Sequence, residues 1–171
     1  FYATKTDGSL WAWGFNGRAV LGQNNKTNYS SPIQIPGTWA VGESKVAGGN
    51  EFAGAIKADG TLWTWGLNNE GQLGHNNKTA RSSPTQIPGT TWNTISANGS
   101  IQILCTKTDG TLWGWGTNSG GQLGQNDRTD RSSPIQIPGT NWSSCGGGQS
   151  VLATKTDGTL WAWGVNTDYG L

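Results

Sequence analysis

Lys57-Ala-Asp-Gly-Thr-Leu-Trp-Thr-Trp-Gly66 decides the reading of this chain, because the same pattern returns at residues 5–14, 107–116 and 155–164. Its first Trp is Trp11, Trp63, Trp113 and Trp161 in turn, so the copies are offset by 52, 50 and 48 residues. A period near 50 made of short apolar runs and Asp-Gly turns predicts propeller blades or a similar array. Residues 55–58 read as a short strand. Asp59-Gly60 reads as a two-residue hairpin turn, since Gly accepts positive φ and Asp tolerates it. Residues 61–65 form the return strand, with Thr61, Trp63 and Trp65 on one face and Leu62 and Thr64 on the other. Farther out come a Gly-rich loop (66–74) and a polar loop (75–83). Residues 84–88 read as an edge strand, because Pro84 cannot donate to a central ladder. Residues 91–96 are expected to close the unit. No apolar 3.6 period appears, so no helix is predicted.

The totals narrow the function classes. Charged residues make up 12% of the 171, about half the usual share, but regularly placed Trp and Leu supply the core anchors that disordered segments lack. The net charge is +1 with Lys and Arg scattered, so no basic stripe points to nucleic acid. No apolar run approaches the roughly 20 residues of a membrane span, and no membrane insertion is expected. Of the two cysteines, Cys105 falls where other copies have Ala3, Ala55 and Ala153, which predicts a small buried strand residue. Cys145 lies in a variable segment. A pairing between them stays open at this level.

Catalytic chemistry is not visible. Asp7, Asp59, Asp109 and Asp157 all precede Gly, the position where a carboxylate bonds local backbone. They stand one repeat apart, unlike a paired acid and base. His75 is the single histidine and replaces Gln23 and Gln125 of the sister copies. No nucleophile elbow and no phosphate-cradling loop before a helix occurs. No catalytic, cofactor or metal residue is assigned, and no enzyme is expected. Trp11, Trp13, Trp63, Trp65, Trp113, Trp115, Trp161 and Trp163 recur at fixed register, which predicts inter-blade packing over a carbohydrate platform. Gly60, Gly110 and Gly158 are assigned as turn glycines.

Spacing separates scaffold from variable parts. From the second Trp to the third, the copies span 26, 27 and 27 residues; from the third Trp to the next Lys they span 18, 15 and 13. Length variation in repeats collects in loops on one face, often the binding face. Partner contacts are therefore expected on 40–45, 93–98 and 143–148, through Glu43, Lys45, Asn93, Asn98, Ser143 and Ser144. The long polar loops compete, through Lys78, Arg81, Arg128 and Arg131.

The run Leu-Trp-x-Trp-Gly-x-Asn-x-x-Gly-Gln-Leu-Gly, at residues 62–74 and 112–124, resembles the regulator of chromosome condensation repeat. Val46-Ala-Gly-Gly49 and the Lys-x-Asp-Gly runs match that family too. The resemblance covers the whole chain and implies an all-β propeller of four-stranded antiparallel blades, with about 3.4 of seven present. It implies one propeller domain over 1–171, with repeat cores at 5–39, 57–92, 107–142 and an incomplete 155–171. Ala19 and Val20 depart from the Gly-Gln of the motif, and the His the family often places upstream is replaced by Phe52, Gln102 and Ser150. Family members bind protein partners through propeller faces and loops. The expected function is thus a non-enzymatic binding or structural module. Three roles are weighed: a surface or virion protein, a secreted inhibitor or adhesin, and, more weakly, an exchange factor for a small GTPase. The Arg-Ser-Ser-Pro segments look like bacterial and viral members, which favours an extracellular, cell-surface or virion location over a nuclear one. Three blades alone would leave apolar faces open, so the remaining blades are expected from flanking sequence or other chains.

Overall fold

The computed structural model describes residues 1–97 and 101–166. The strands are β1 (Tyr2–Thr4), β2 (Leu10–Gly14), β3 (Tyr29–Ile35), β4 (Val46–Gly48), β5 (Phe52–Ile56), β6 (Leu62–Gly66) and β7 (Arg81–Ile87). They continue as β8 (Trp92–Ser96), β9 (Gln102–Lys107), β10 (Leu112–Gly116), β11 (Arg131–Ile137), β12 (Trp142–Gly147), β13 (Ser150–Lys155) and β14 (Leu160–Gly164). Among the described residues they form antiparallel sheets β1-β2-β3, β4-β5-β6-β7, β8-β9-β10-β11 and β12-β13-β14. These are propeller blades one to four.

Register explains the repeat. The first Trp of each copy faces a small residue: Trp11 opposite Ala3, Trp63 opposite Ala55, Trp113 opposite Cys105 and Trp161 opposite Ala153. Cys105 is fully buried there, as its alignment with alanines predicts. The second Trp of the second, third and fourth copies points at the preceding blade. Trp65 and Trp115 are completely buried. The Trp65 indole donates to the Val20 carbonyl at 2.6 Å, Trp115 to Gln72 at 3.0 Å and Trp163 to Gln122 at 2.8 Å. Three apolar clusters result, and each spans two neighbouring blades.

Three expectations change. The third Trp of each repeat does not close its own unit; Trp39 bridges to Lys57, and Trp92 and Trp142 open β8 and β12, the innermost strands of the following blades. Residues 93–96 and 143–147 are consequently strand rather than loop. The Asp-Gly turns are longer than two residues. The Gly60 amide donates to the Lys57 carbonyl at 2.9 Å, and the Lys57 amide donates to the Thr61 carbonyl at 2.8 Å. This closes a three-residue hairpin whose last position is left-handed. The glycine conformation itself is as expected, with φ of 77°, 76° and 84° at Gly60, Gly110 and Gly158. Finally, the tryptophan pair divides. Trp63 and Trp113 are only half-buried.

Two outcomes follow for stability. Trp115→Ala removes a buried indole and strands the Gln72 carbonyl; it should cost about 3–5 kcal/mol, read by denaturant unfolding of the intact protein. The turn glycines should rank by their surroundings. A Cβ on Gly60 would lie 2.3 Å from the Thr90 carbonyl oxygen and one on Gly110 3.1 Å from the Asn141 nitrogen. Alanine at either position also takes on left-handed strain of about 1–2 kcal/mol. Gly60→Ala should therefore cost more than Gly110→Ala, so equal losses in thermal unfolding would contradict the assignment.

Candidate functional site

Each Asp-Gly hairpin carries a short polar chain. In the second blade, Asp59 Oδ1 accepts from the Thr61 amide at 3.0 Å and from the Thr61 hydroxyl at 2.6 Å; Thr61 Oγ1 accepts from the Trp63 indole at 2.9 Å. The chain repeats as Asp109, Thr111 and Trp113, as Asp157, Thr159 and Trp161, and as Asp7, Ser9 and Trp11. The Lys that opens the motif folds over the same indole: Lys57 Nζ lies 3.8 Å from the Trp63 ring centroid, Lys107 4.2 Å from Trp113 and Lys155 4.6 Å from Trp161. A second contact reaches the third Trp, at 4.6 Å for Lys107 over Trp92 and 4.8 Å for Lys155 over Trp142. An ammonium between two indole faces is favoured by the ring quadrupoles.

These residues wall a groove that recurs between neighbouring blades. Its volume is about 310 Å³ between blades one and two, 460 Å³ between two and three, and 350 Å³ between three and four. His75 lines the largest. The Thr64 hydroxyl donates to the Leu73 carbonyl at 2.8 Å and so accepts from His75 Nε2 at 3.1 Å. Burial, with a smaller push from Arg81, lowers the His75 pKa.

The polar loops, whose first residues line the same grooves, are held from within. Asn68 is fully buried; its Oδ1 accepts from the Leu73 amide at 2.9 Å, while Nδ2 donates to the carbonyls of Asn77 and Thr79 at 2.9 and 3.0 Å. Asn16 and Asn118 do the same for their own loops. Each loop then latches to the next blade: the Asn24 amide donates to the Ser82 carbonyl at 2.8 Å, and Asn76 to Ser132 at 2.7 Å. The Arg-Ser-Ser-Pro run is therefore an inter-blade fastening.

Several residues expected at a partner surface already make intramolecular bonds, although Lys78, Ser143 and Ser144 stay exposed. Lys45 donates to the Asn93 backbone and side-chain oxygens across a blade boundary. The Ser143 and Ser144 hydroxyls bond the Thr154 hydroxyl at 3.0 and 2.7 Å. Lys78 faces Glu70 at 3.5 Å, and Arg131 pairs with Asp127 at 2.6 Å. Arg81 is half-buried, Glu43 and Arg128 are exposed, and Asn98 lies outside the described residues. The structure does not gather these side chains into one place. Both cysteines are free thiols. Burial raises the Cys105 pKa and pushes Cys145 up to about 12, so neither is a thiolate at neutral pH. Sequence reasoning missed Lys57, Lys107 and Lys155 as groove residues, although their recurrence in every copy was the signal. It also passed over Lys26, the counterpart of Lys78 and Arg128.

Fold and repeat geometry together define a β-propeller assembled from tandem Trp-rich hairpins. The regulator of chromosome condensation (RCC1) repeat matches residues 7–56, 59–103 and 109–153, and the chain belongs to that family. It is 28% identical over 101 residues to the human E3 ubiquitin-protein ligase HERC2, covering 58% of this chain and 2% of HERC2. It is 37% identical over 86 residues to the zebrafish RCC2 homolog, covering 48% and 17%. Among solved structures, human WBSCR16 superposes with a TM-score of 0.82 at 21% identity over 96% of this chain and 44% of that one. Yeast RCC1 (Prp20) bound to Kap60 superposes at 0.78, with 21% identity, over 98% and 42%. The chain thus spans less than half of the solved proteins and under a fifth of those curated relatives.

These relatives overturn the preference for an extracellular, cell-surface or virion location over a nuclear one. They include a protein of chromosome condensation whose structure was studied with its binding to histones, and the zebrafish RCC2 homolog. The physical reason is plain in the fold: Arg-Ser-Ser-Pro serves the blade-to-blade latch and carries no information about compartment.

The turn carboxylates make a pH outcome. The Thr111 hydroxyl, then its backbone amide, holds the Asp109 carboxyl below its ordinary 3.8, and Asp59 and Asp157 are held the same way by Thr61 and Thr159. A folded pKa below the unfolded one contributes stability that is present above the unfolded value and lost as pH falls through the folded one. Melting temperature should be insensitive to these groups near neutrality and fall below about pH 4. Asp59→Asn with Asp109→Asn should flatten that acid limb; an unchanged limb would exclude these carboxylates as its source.

Proposed function

We propose that this chain is a non-enzymatic protein-binding propeller module that engages its partner through loops. One observation carries the reading. The polar loops, pinned by buried Asn16, Asn68 and Asn118, set exposed Lys26, Lys78 and Arg128 at the same position in three successive blades. Loops fixed from within lose little conformational freedom on binding, which favours recognition by a preorganised surface. Two similar yeast structures concern binding to Kap60, Gsp1p and histones, all of them proteins. On this reading Arg81 and Arg131 support the rim, and Glu43 marks a second contact near the inner strands. Further blades, from flanking sequence or other chains, complete the ring, in keeping with the greater length of the solved propellers it matches.

The test is charge reversal in the intact protein. Lys26→Glu, Lys78→Glu and Arg128→Glu together should slow partner association about tenfold at low salt, while replacement of residues 40–45 by a Gly-Ser linker should change it less. Surface plasmon resonance with an affinity-purified partner reads both. Undiminished association in the triple variant would remove the polar loops as the binding face.

A further inference from the structure

We propose that the three inter-blade grooves are one repeated subsite for an acidic polysaccharide, a chain of uronic acid rings. The inference stands on the grooves and not on the protein-binding reading above. Each groove holds a lysine ammonium whose described contacts are indole faces, at 3.8 Å for Lys57, 4.2 Å for Lys107 and 4.6 Å for Lys155. None of the three forms an ion pair among the described residues. The neighbouring carboxylates of Asp59, Asp109 and Asp157 are turned to their threonines instead. Three half-buried positive groups beside indole faces are thus open to an anionic acceptor, and a charge-assisted bond is stronger than a neutral one.

The rest of the wall selects a ring over a flexible side chain. Trp63 and Trp113 are half-buried, so part of each indole surface remains available. In the middle groove Pro88 and Pro134 stand with the indoles as rigid apolar wall. The side-chain amides of Gln86 and Asn76 line the same groove and make no hydrogen bond to another described residue, which leaves donors and acceptors for ring hydroxyls. A pyranose offers an apolar face, hydroxyls and a carboxylate on one rigid frame; a glutamate side chain must order several torsions for the carboxylate alone. Repetition at each blade boundary suits a polymer with a repeating charge, because linked subsites raise avidity with no new contact. Volumes of 310–460 Å³ accommodate one sugar unit each.

Oligogalacturonate of about ten units, titrated into the intact protein with tryptophan fluorescence as readout, provides the test. Saturable quenching is expected, with loss of binding when the carboxylates are methyl-esterified. Combining Lys57→Met, Lys107→Met and Lys155→Met, which keeps the stems against the indoles, should weaken binding at least tenfold, by analogy with the loss of charge-assisted bonds. Each single change should weaken it about twofold to threefold, as expected of linked sites. The esterified probe decides the charge question even if the triple variant fails to fold. No saturable quenching, equal binding of the methyl ester, or undiminished binding in a folded triple variant would each overturn the proposal. Poly-glutamate binding as tightly as oligogalacturonate would also overturn it, in favour of an acidic peptide.

Discussion

The blade boundary depends on a single hydrogen-bonded indole. The second Trp of the second, third and fourth copies fills the apolar space between blades and ends on a carbonyl of the preceding Gly-rich segment, as Trp115 does on Gln72. An indole buried without a partner for its N–H would lose much of what its area contributes. The preceding loop must therefore present a carbonyl at a fixed place. That requirement explains the loop's construction. The buried amide of Asn68 holds the turn at Leu73, Leu73 fills the core, and Gln72 then points its carbonyl at the next blade. Trp, Asn, Gln and Leu of the repeat are thus parts of one joint, made between neighbours rather than within a blade.

The hairpin at the opposite end obeys a different constraint. Asp59 is fully exposed, yet its carboxylate, the Thr61 hydroxyl and the Trp63 indole form a chain that fixes the indole ring. Lys57 then lies over the ring it has been given. Solvent screens such a surface pair, so its contribution to stability is small. Its consequence is geometric: every blade presents an indole and an ammonium in the same relative position. The turn is also tied to the chain entering the next blade, since the Trp92 amide donates to the Gly60 carbonyl at 3.1 Å. A side chain on Gly60 would break into that contact, which is why the glycine there answers both to conformation and to close approach.

Strands, blades and the buried second Trp were legible because period-2 alternation and fourfold recurrence report packing directly. The inner strands were not. Residues 93–96 and 143–147 vary in sequence and include Asn, Ser and Gly, so they read as loop, yet β9 and β13 supply their ladder partners. The pairing runs as close as Gly147 with Val151, but Ser143-Ser-Cys-Gly-Gly147 lacks the apolar alternation that marks a strand, so local propensity does not carry it. The same cause misplaced Lys45 and Asn93. Each looked like a free polar residue on a variable segment, and they meet only because adjacent blades bring their inner strands together. The turn length was missed for a smaller reason. Asp-Gly is the signature of a two-residue turn, and only the bond from the Lys57 amide to the Thr61 carbonyl shows that Ala58 belongs to the loop as well.

Recurrence had two meanings in this chain, and burial separates them. A residue repeated in every copy and fully buried, such as Trp65, Leu73 or Asn68, is accounted for by the joint it makes. Lys57, Lys107 and Lys155 recur as strictly but are only half-buried. Their cation–π contacts add little that a neutral apolar chain of the same length would not also provide by packing. Charge is the part of these lysines that packing does not explain. The grooves differ too: His75 takes the place of Gln23 and Gln125, and that groove has the largest volume of the three. Gln23 and Gln125 each tie a loop carbonyl to the outer strand through their amides, whereas His75 turns inward to Thr64. One substitution therefore releases the outer strand's Gln86 carbonyl from that tie and enlarges the space beside Lys107, while the joint built by Trp115 stays as it is in its neighbours.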